Sequence, residues 1–209
     1  AIDVSTSMLA EDLKPNRLEA AKDVAAEFIN GRPNDNIGIT LFAGESFTQC
    51  PLTVDHAVLL NLFQGIKCGI IEDGTAVGMG IANAVTRLKD SKAKSKVIIL
   101  LTDGTNNRGE ISPLTAAEIA KSFGIRVYTI GVGTNGMAPY PYPVGGTVQY
   151  VNMPVEIDEK TLTQIAGTTD GNYFRATSNS KLKEVYEEID KLEKTKLNVK
   201  EYSKRQEEY

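Results

Sequence analysis

Apolar residues along this chain occur in two alternating arrangements, short unbroken runs and longer stretches with helical spacing. Residues 97–101 are all apolar, as expected of a strand covered on both faces in a parallel sheet. Residues 126–132 and Ile37–Phe42 have a similar composition. Residues 45–53 follow Ile37–Phe42 after a turn of two residues, and so short a connection permits only an antiparallel neighbour. We therefore predict residues 45–53 to be an antiparallel edge strand.

Between these runs, apolar residues recur every three or four positions, which is the spacing of one face of a helix. Asn16, with Glu19 three residues later, forms a capping box that predicts the start of one helix, and Gly31 ends it. The same spacing predicts further helices after Thr75, after Ser112 and near the end of the chain. Alternating strands and helices predict a three-layer α/β fold, with helices on both faces of a mainly parallel sheet of about six strands.

Length and composition describe an ordinary globular domain. The chain has 209 residues, of which 41% are hydrophobic and 24% charged, so it is long enough to bury a core. The formal net charge of −4 provides no general attraction to phosphate backbones, and we do not expect nucleic acid as a partner. The first four residues resemble the end of a buried strand, so we expect the chain to be a piece of a longer protein.

The two cysteines, Cys50 and Cys68, match no zinc or redox spacing. Two hypotheses remain open for them. They are either free thiols or a disulfide, and a disulfide would imply an oxidising compartment.

One connection is too long for an ordinary α/β unit. Residues 134–155 separate a predicted strand from a helix that begins near Asp158. The pair Gly145-Gly146, flanked by tyrosines and valines, predicts a small hairpin. Because the hairpin leaves the carboxyl end of its strand, we expect it on the ligand-binding face. Its tyrosines either contact a partner protein or pack onto their own domain, and the residues concerned are Tyr140, Tyr142 and Tyr150.

Two carboxylates and three hydroxyl groups are predicted to meet at one edge of the sheet. Asp3 ends the first strand and Asp103 ends the most buried strand. Right-handed crossovers place such strands side by side, and ligands bind beyond their carboxyl ends. Two like charges there repel each other unless a cation lies between them. With the hydroxyls of Ser5, Ser7 and Thr75, the all-oxygen set suits Mg²⁺, Mn²⁺ or Ca²⁺ and not zinc.

The order of these segments resembles the metal-ion-dependent adhesion site (MIDAS) of von Willebrand factor A domains and integrin I domains. The pattern is Asp-x-Ser-x-Ser after the first strand, a threonine before a helix, and Asp-Gly after a later strand. The resemblance covers nearly the whole chain and implies a three-layer, Rossmann-like fold. By position, it implies hydroxyl ligands from Ser5, Ser7 and Thr75, while Asp3 and Asp103 bind the metal directly or through water.

Other segments are similar to the bacterial aerotolerance (Bat) proteins, in particular to BatA-like proteins. Those proteins are membrane-anchored and are associated with AAA+ ATPases of the MoxR class. The resemblance implies a von Willebrand A domain over residues 1–193 and a charged extension, 194–209, toward a membrane segment that this chain lacks. We expect such a domain on the periplasmic side of the membrane. The similar segments are residues 12–18, 47–55, 157–159, 171–176 and 186–193.

Two functions follow from this site. The resemblance implies a binding module whose metal accepts a Glu or Asp of a partner protein, with other Bat proteins or a MoxR-class ATPase system as candidate partners. The alternative is a Mg²⁺-dependent phosphoryl-transfer or hydrolytic enzyme, which needs a nucleophile or general base beside the metal. The strand ends offer no His, Cys or Lys for that role, so we favour the binding module and expect no enzymatic activity.

Four residues close to the predicted ligands receive no binding role. Thr6 stands where such domains usually have glycine, which adds a Cβ at a tight turn but removes no ligand. Asp73, Asn106 and Asn107 are interpreted as solvated loop residues.

Overall fold

A computed structural model describes the backbone of residues 1–207 and the side chains of residues 1–197. The strands are β1 Ile2–Asp3, β2 Ile37–Phe42, β3 Ser46–Thr53, β4 Lys96–Thr102, β5 Ile125–Val132, β6 Met137–Val144, β7 Thr147–Pro154 and β8 Tyr173–Ala176. The helices are α1 Arg17–Asn30, α2 His56–Gln64, α3 Val77–Leu88, α4 Pro113–Ser122, α5 Glu159–Thr168 and α6 Asn179–Glu207, and a short 3₁₀ helix spans Thr6–Leu9. The end of the predicted charged extension, residues 208–209, lies outside the described residues.

The central sheet has the strand order β3-β2-β1-β4-β5-β8. All neighbouring strands are parallel except β3, which pairs antiparallel with β2. The predicted antiparallel edge strand is therefore confirmed, and so is the interior position of the apolar run in β4. Strand β1 lies between β2 and β4, where Ile2 pairs with Leu41 on one side and with Leu101 on the other.

Helices cover both faces of the sheet and enclose two hydrophobic clusters. Helices α1, α2 and α6 pack on one face, and α3, α4 and α5 pack on the other. Successive side chains of a strand point to opposite faces. Leu101 thus belongs to the first cluster and Leu100 to the second. This two-sided burial explains why β4 is apolar without interruption, and it confirms the three-layer fold.

The predicted N-cap and C-terminal end of α1 are also confirmed. Asn16 Oδ1 accepts a hydrogen bond of 2.9 Å from the backbone N–H of Glu19, and the helix ends before Gly31. This cap places the first turn of α1, and with it Arg17, beneath the edge of the sheet where β1 ends.

The two cysteine thiols are free, with Cys50 buried and Cys68 half-buried. Of the two hypotheses for these residues, the structure therefore contains the reduced pair. Within residues 1–207, no helix has both the length and the apolar character needed to cross a bilayer.

Helix α6 continues without a break from the domain into the charged segment, and Glu193 anchors it at that point. The Glu193 carboxylate accepts hydrogen bonds from Tyr128 at 2.6 Å, from Arg126 at 2.5 Å and from Ser95 at 3.0 Å. Burial raises the pKa of Glu193, but the hydrogen bond from Tyr128 and the charge of Arg126 outweigh it and hold the pKa below its usual range. Glu193 therefore ties α6 to β5 as a charged group.

Replacing Glu193 by alanine should destabilise the fold, because Arg126 then loses its partner in a largely buried position. We expect the free energy of unfolding in urea to fall by about 3 kcal/mol at neutral pH. Since the folded-state pKa of Glu193 is depressed, its contribution is present above the unfolded-state pKa and is lost as the pH falls through the folded-state pKa. The difference between wild type and Glu193→Ala should shrink in acid. Glu188→Ala, at an exposed position of the same helix, is the matched control, and an equal loss in both variants would contradict this assignment.

Candidate metal centre

Four of the five predicted ligands form one continuous hydrogen-bonded cluster. Asp3 ends β1, and the 3₁₀ helix that follows carries Ser7 back toward β4. Ser5 Oγ and Ser7 Oγ lie 2.9 Å apart, and Ser7 Oγ donates to Asp103 Oδ1 at 2.7 Å. Asp3 Oδ1 accepts the backbone N–H of Ser5 at 2.9 Å. The cluster forms because β1 and β4 are neighbours in the sheet, so their carboxyl ends meet.

Asp3 is completely buried, and Asp103 is only 3% exposed. Asp3 Oδ2 accepts a 2.6 Å hydrogen bond from Thr102 Oγ1, which fixes the carboxylate against β4. Burial, and secondly the charge of Asp103, raise the pKa of Asp3 to about 7. Burial also raises the pKa of Asp103, although Arg17 and Ser7 oppose the shift. In the metal-free protein, burial and a neighbouring carboxylate therefore disfavour the charged form of both residues, Asp103 acting on Asp3 and Asp12 acting on Asp103.

Thr75, the fifth predicted ligand, is buried just before α3. Asn107 holds its backbone, since Thr75 N donates to Asn107 Oδ1 at 2.9 Å and Asn107 N donates to Thr75 O at 3.0 Å. The Thr75 hydroxyl faces Gly104, where a Cβ would lie only 3.3 Å from Thr75 Oγ1. Gly104 thus allows Thr75 to approach Asp103, the residue before it.

Arg17 and Asp12 belong to the same edge, although sequence reasoning assigned neither a role there. Arg17 Nη1 donates to Asp103 Oδ2 at 2.7 Å, and its Nε and Nη2 donate to the two oxygens of Asp12 at 2.7 Å each. The three side chains are at most 5% exposed. Only Asp103 Oδ1, on the side of Ser7, is left facing the cluster. The available signal for both residues was the segment 12–18, which is similar to the Bat proteins and contains Asp12 and Arg17.

The charges at this edge fit a divalent cation. The side chains of Asp3, Asp12 and Asp103 are buried against the single guanidinium of Arg17, so full ionisation of the three carboxylates would leave two negative charges within this described cluster. Water is excluded from most of these groups, which makes the excess charge costly. The remaining donors are hydroxyl oxygens, which are ligands for hard cations such as Mg²⁺. The residues present therefore fit the metal that the sequence implied.

Two neighbouring loops brace the cluster. Asp73 accepts hydrogen bonds from the backbone N–H of Thr6 at 3.0 Å and from its hydroxyl at 2.7 Å. Asp73 and Asn107 are exposed loop residues, as interpreted from the sequence, but each also bonds the backbone of or next to a predicted ligand. Asn106 Oδ1 is buried and lacks a hydrogen-bond partner among the described residues. The hydroxyl of Thr6 supplies a bond that glycine at this position could not make.

The inserted hairpin, β6–β7, rises from the same edge of the sheet. Thr134 N donates to Asp12 Oδ2 at 2.8 Å at its base, and Glu11 N donates to Pro139 O at 2.8 Å. Tyr140 is half-buried, whereas Tyr142 and Tyr150 are 56% and 58% exposed. The hydroxyl of Tyr150 donates to Glu11 at 3.0 Å. Asp12 thus connects the base of the hairpin to Arg17 and through it to Asp103.

Comparison with known families is consistent with this geometry. The family model of the von Willebrand factor type A domain matches residues 1–188. Among curated proteins, a UPF0353 protein of Mycolicibacterium paratuberculosis is 34% identical over 205 residues, covering 88% of this chain and 56% of that protein. The chain therefore spans less than two thirds of this relative.

Solved structures show the same fold at higher coverage. The conserved hypothetical protein BatB of Bacteroides thetaiotaomicron is 33% identical, with a TM-score of 0.79 over 92% of this chain and 96% of that one. An aerotolerance-related membrane protein of Bacteroides fragilis is 30% identical, with a TM-score of 0.79 over 91% of this chain and 94% of that one. Proximal thread matrix protein 1 of the mussel byssus, with a zinc-occupied MIDAS motif, is 25% identical, with a TM-score of 0.69 over 91% and 43% of the two chains.

Arg17→Ala should destabilise the protein, because it leaves the carboxylates of Asp12 and Asp103 buried without a counter-charge. We expect the free energy of unfolding, measured in urea with EDTA present, to fall by about 3–5 kcal/mol. Arg108→Ala, at an exposed position near the same edge, is the control and should change it by less than about 0.5 kcal/mol. A similar small change in both variants would show that Arg17 does not compensate the buried carboxylates.

Proposed function

This chain belongs to the von Willebrand factor type A domain family, and we propose that its cluster of buried carboxylates and hydroxyls is a metal-dependent protein-binding site. One divalent cation, with Mg²⁺ preferred over Mn²⁺ or Ca²⁺, is held by Asp3, Ser5, Ser7, Thr75 and Asp103. The observation that carries the proposal is the continuous contact from Ser5 through Ser7 to Asp103 beside an uncompensated negative charge.

The chain's own residues hold the ligand oxygens in place. The Thr102 hydroxyl donates to Asp3 Oδ2 and orients that carboxylate. Arg17 donates to Asp103 Oδ2, so Asp103 Oδ1 faces the serine hydroxyls. Ser7 is exposed, whereas Asp3, Ser5 and Asp103 are buried, so solvent reaches the cluster on the side of Ser7. A bound divalent cation supplies the positive charge that attracts a carboxylate from that side.

The partner is therefore a protein that presents a Glu or Asp side chain. On the hairpin that leaves the same sheet edge, Tyr140 and Tyr142 lie on one face and Tyr150 on the other. Tyr140 and Tyr142 offer apolar contacts to the same partner, since aromatic residues are enriched in such interfaces. Similarity to an aerotolerance-related membrane protein supports a membrane-anchored parent protein. The periplasmic side of the membrane is part of this proposal. Other Bat proteins or a MoxR-class ATPase system are the candidate partners.

The metal is the component on which binding depends. The solved mussel protein carries zinc in its MIDAS motif, but the all-oxygen donor set of this chain favours a harder cation. The enzymatic alternative uses the same cation and differs in its outcome, since it requires turnover of a substrate.

Asp3→Asn should separate metal binding from folding. The substitution keeps the shape of the side chain and removes a buried charge whose pKa is raised in the folded state. We expect the affinity for Mg²⁺, measured by isothermal titration calorimetry, to fall at least about a hundredfold, while the metal-free protein unfolds at the same or a higher urea concentration. Asp23→Asn, an exposed carboxylate on α1, is the control and should leave both quantities unchanged. Undiminished Mg²⁺ affinity in Asp3→Asn would refute the ligand assignment.

Partner binding should require the metal and the cluster together. We expect immobilised wild-type protein to retain a partner from a bacterial membrane extract with Mg²⁺ and to lose it in EDTA, whereas Asp103→Asn retains none in either buffer. A generic phosphate ester with Mg²⁺ should show no turnover by the wild type above that of Asp103→Asn. Retention that is equal with Mg²⁺ and EDTA would end the metal-dependent mechanism, and metal-dependent turnover would favour the enzyme.

A further inference from the structure

The hairpin β6–β7 forms a sheet of its own and has two very different edges. Its strands are joined by Gly145 and Gly146, whose φ angles are +56° and +83°, as in a two-residue type I′ turn. Val144 and Thr147 flank this turn and pair directly, so they exchange main-chain hydrogen bonds within the hairpin. In an antiparallel hairpin, hydrogen-bonded pairs alternate with pairs whose N–H and C=O groups point away from the other strand. The residues of these latter pairs are the outward positions of each strand.

Three of the four outward positions of β6 are closed to a further strand. They are Pro139, Pro141 and Pro143, none of which has an N–H to donate, and the fourth is Met137 at the start of the strand. Their orientation is shown by Pro139 O, which accepts the backbone N–H of Glu11 at 2.8 Å. A proline at each of these three positions is a known means of protecting a sheet edge from pairing.

Most outward positions of β7 are open. Val148, Tyr150 and Asn152 pair opposite the three prolines and retain their N–H groups, whereas the fourth outward residue, Pro154, ends the strand and has no N–H. In the part of the chain that the structure describes, β7 has no strand neighbour other than β6. All residues of β7 are exposed, and a two-stranded hairpin alone is only marginally stable in water. One edge is therefore sealed and the other is available for strand addition.

We propose that the open edge of β7 pairs with β7 of a second copy of this chain, in an antiparallel two-fold arrangement centred on Tyr150. In this register Tyr150 lies opposite Tyr150 of the second copy, and Val148 lies opposite Asn152. The outward groups of these three residues in both strands then face each other and form about six main-chain hydrogen bonds. The result is a continuous four-stranded sheet whose two outer edges are both sealed by prolines.

Two observations make a second copy the occupant. Residues 134–155 contain no charged side chain, so the paired strands themselves bring no like charges together although each chain carries a net charge of −4. The carboxylate that Tyr150 contacts, Glu11, accepts a hydrogen bond from the Tyr150 hydroxyl of its own copy. In addition, a hairpin with a single open edge closes at two copies and does not continue into a fibre. The aromatic pair at the axis adds a favourable cross-strand contact. Tyr140 and Tyr142 alternate with the outward residues, so their side chains lie on the other face of the hairpin and take no part in this pairing.

This pairing does not involve the metal, and its test runs in EDTA, so its failure is independent of the proposed function. Sedimentation velocity of the 209-residue chain over a range of concentrations should show a reversible monomer–dimer equilibrium. Asn152→Pro removes one outward N–H but none within the hairpin, and it should raise the dissociation constant at least about tenfold. Asn152→Thr keeps the N–H and favours strand, so it should dimerise like the wild type. Slow exchange of the amide protons of Tyr142 and Val151 confirms that the hairpin is intact in each variant.

The register has a separate readout. Mild oxidation should form a disulfide between two copies of Tyr150→Cys, because the two residues face each other across the two-fold axis. It should not cross-link Val148→Cys, because the two residues 148 are far apart in this register. Wild-type protein reports any background cross-linking through Cys68. A monomer at all concentrations, a dimer insensitive to Asn152→Pro, equal loss in Asn152→Thr, or preferential cross-linking of Val148→Cys would each overturn the proposal. So would addition of a strand from a different protein to β7 of a chain that stays monomeric by itself.

Discussion

Buried negative charge at the carboxyl ends of β1 and β4 is the constraint on which the rest of this edge depends. The parallel sheet forces Asp3 and Asp103 together, and the hydrophobic layers on both sides remove the water that would otherwise separate them. Arg17 compensates part of that charge and does so from the first turn of α1, which the cap at Asn16 positions. Any charge that remains is costly in the metal-free edge, and this is the physical basis of the proposed affinity for a divalent cation.

The same ion network joins elements that are far apart in sequence. Asp12 receives the guanidinium of Arg17 on one side and the backbone N–H of Thr134 on the other. The base of the hairpin is therefore fixed relative to Asp103 through three side chains with little freedom to move. Most residues of the hairpin are exposed and make few contacts with the domain. These charge-assisted hydrogen bonds therefore fix its position.

The edge strands of the hairpin and of the central sheet are protected in different ways. The central sheet ends in β3 and β8, of which β3 carries a helix contact from both α2 and α3. In the described part of the chain, β6 carries the prolines and a contact with the 3₁₀ helix, while β7 has no α-helix packed on it and is left open. Protecting one edge and not the other in a segment without charge is difficult to explain by solubility alone. It is consistent with a domain that uses two surfaces, the metal edge for an acidic partner and the strand edge for a copy of itself.

Periodicity and punctuation were enough to predict the layers, the antiparallel edge strand and the ends of α1, because apolar runs and helix caps are local properties of the chain. The positions of the five predicted ligands also followed from sequence, since each is the first residue or loop beyond a recognisable strand or before a helix. The contacts of Arg17, Asp73 and Asn107 did not follow, because a charged or amide side chain in a loop or a first helical turn looks the same whether it is solvated or buried. Only the tertiary structure decides that, by bringing together carboxylates and donors 67 to 86 residues apart in the chain. It leaves the contact of Asp73 exposed, whereas it places Arg17 and Asp103 at a buried sheet edge where water no longer screens their charges.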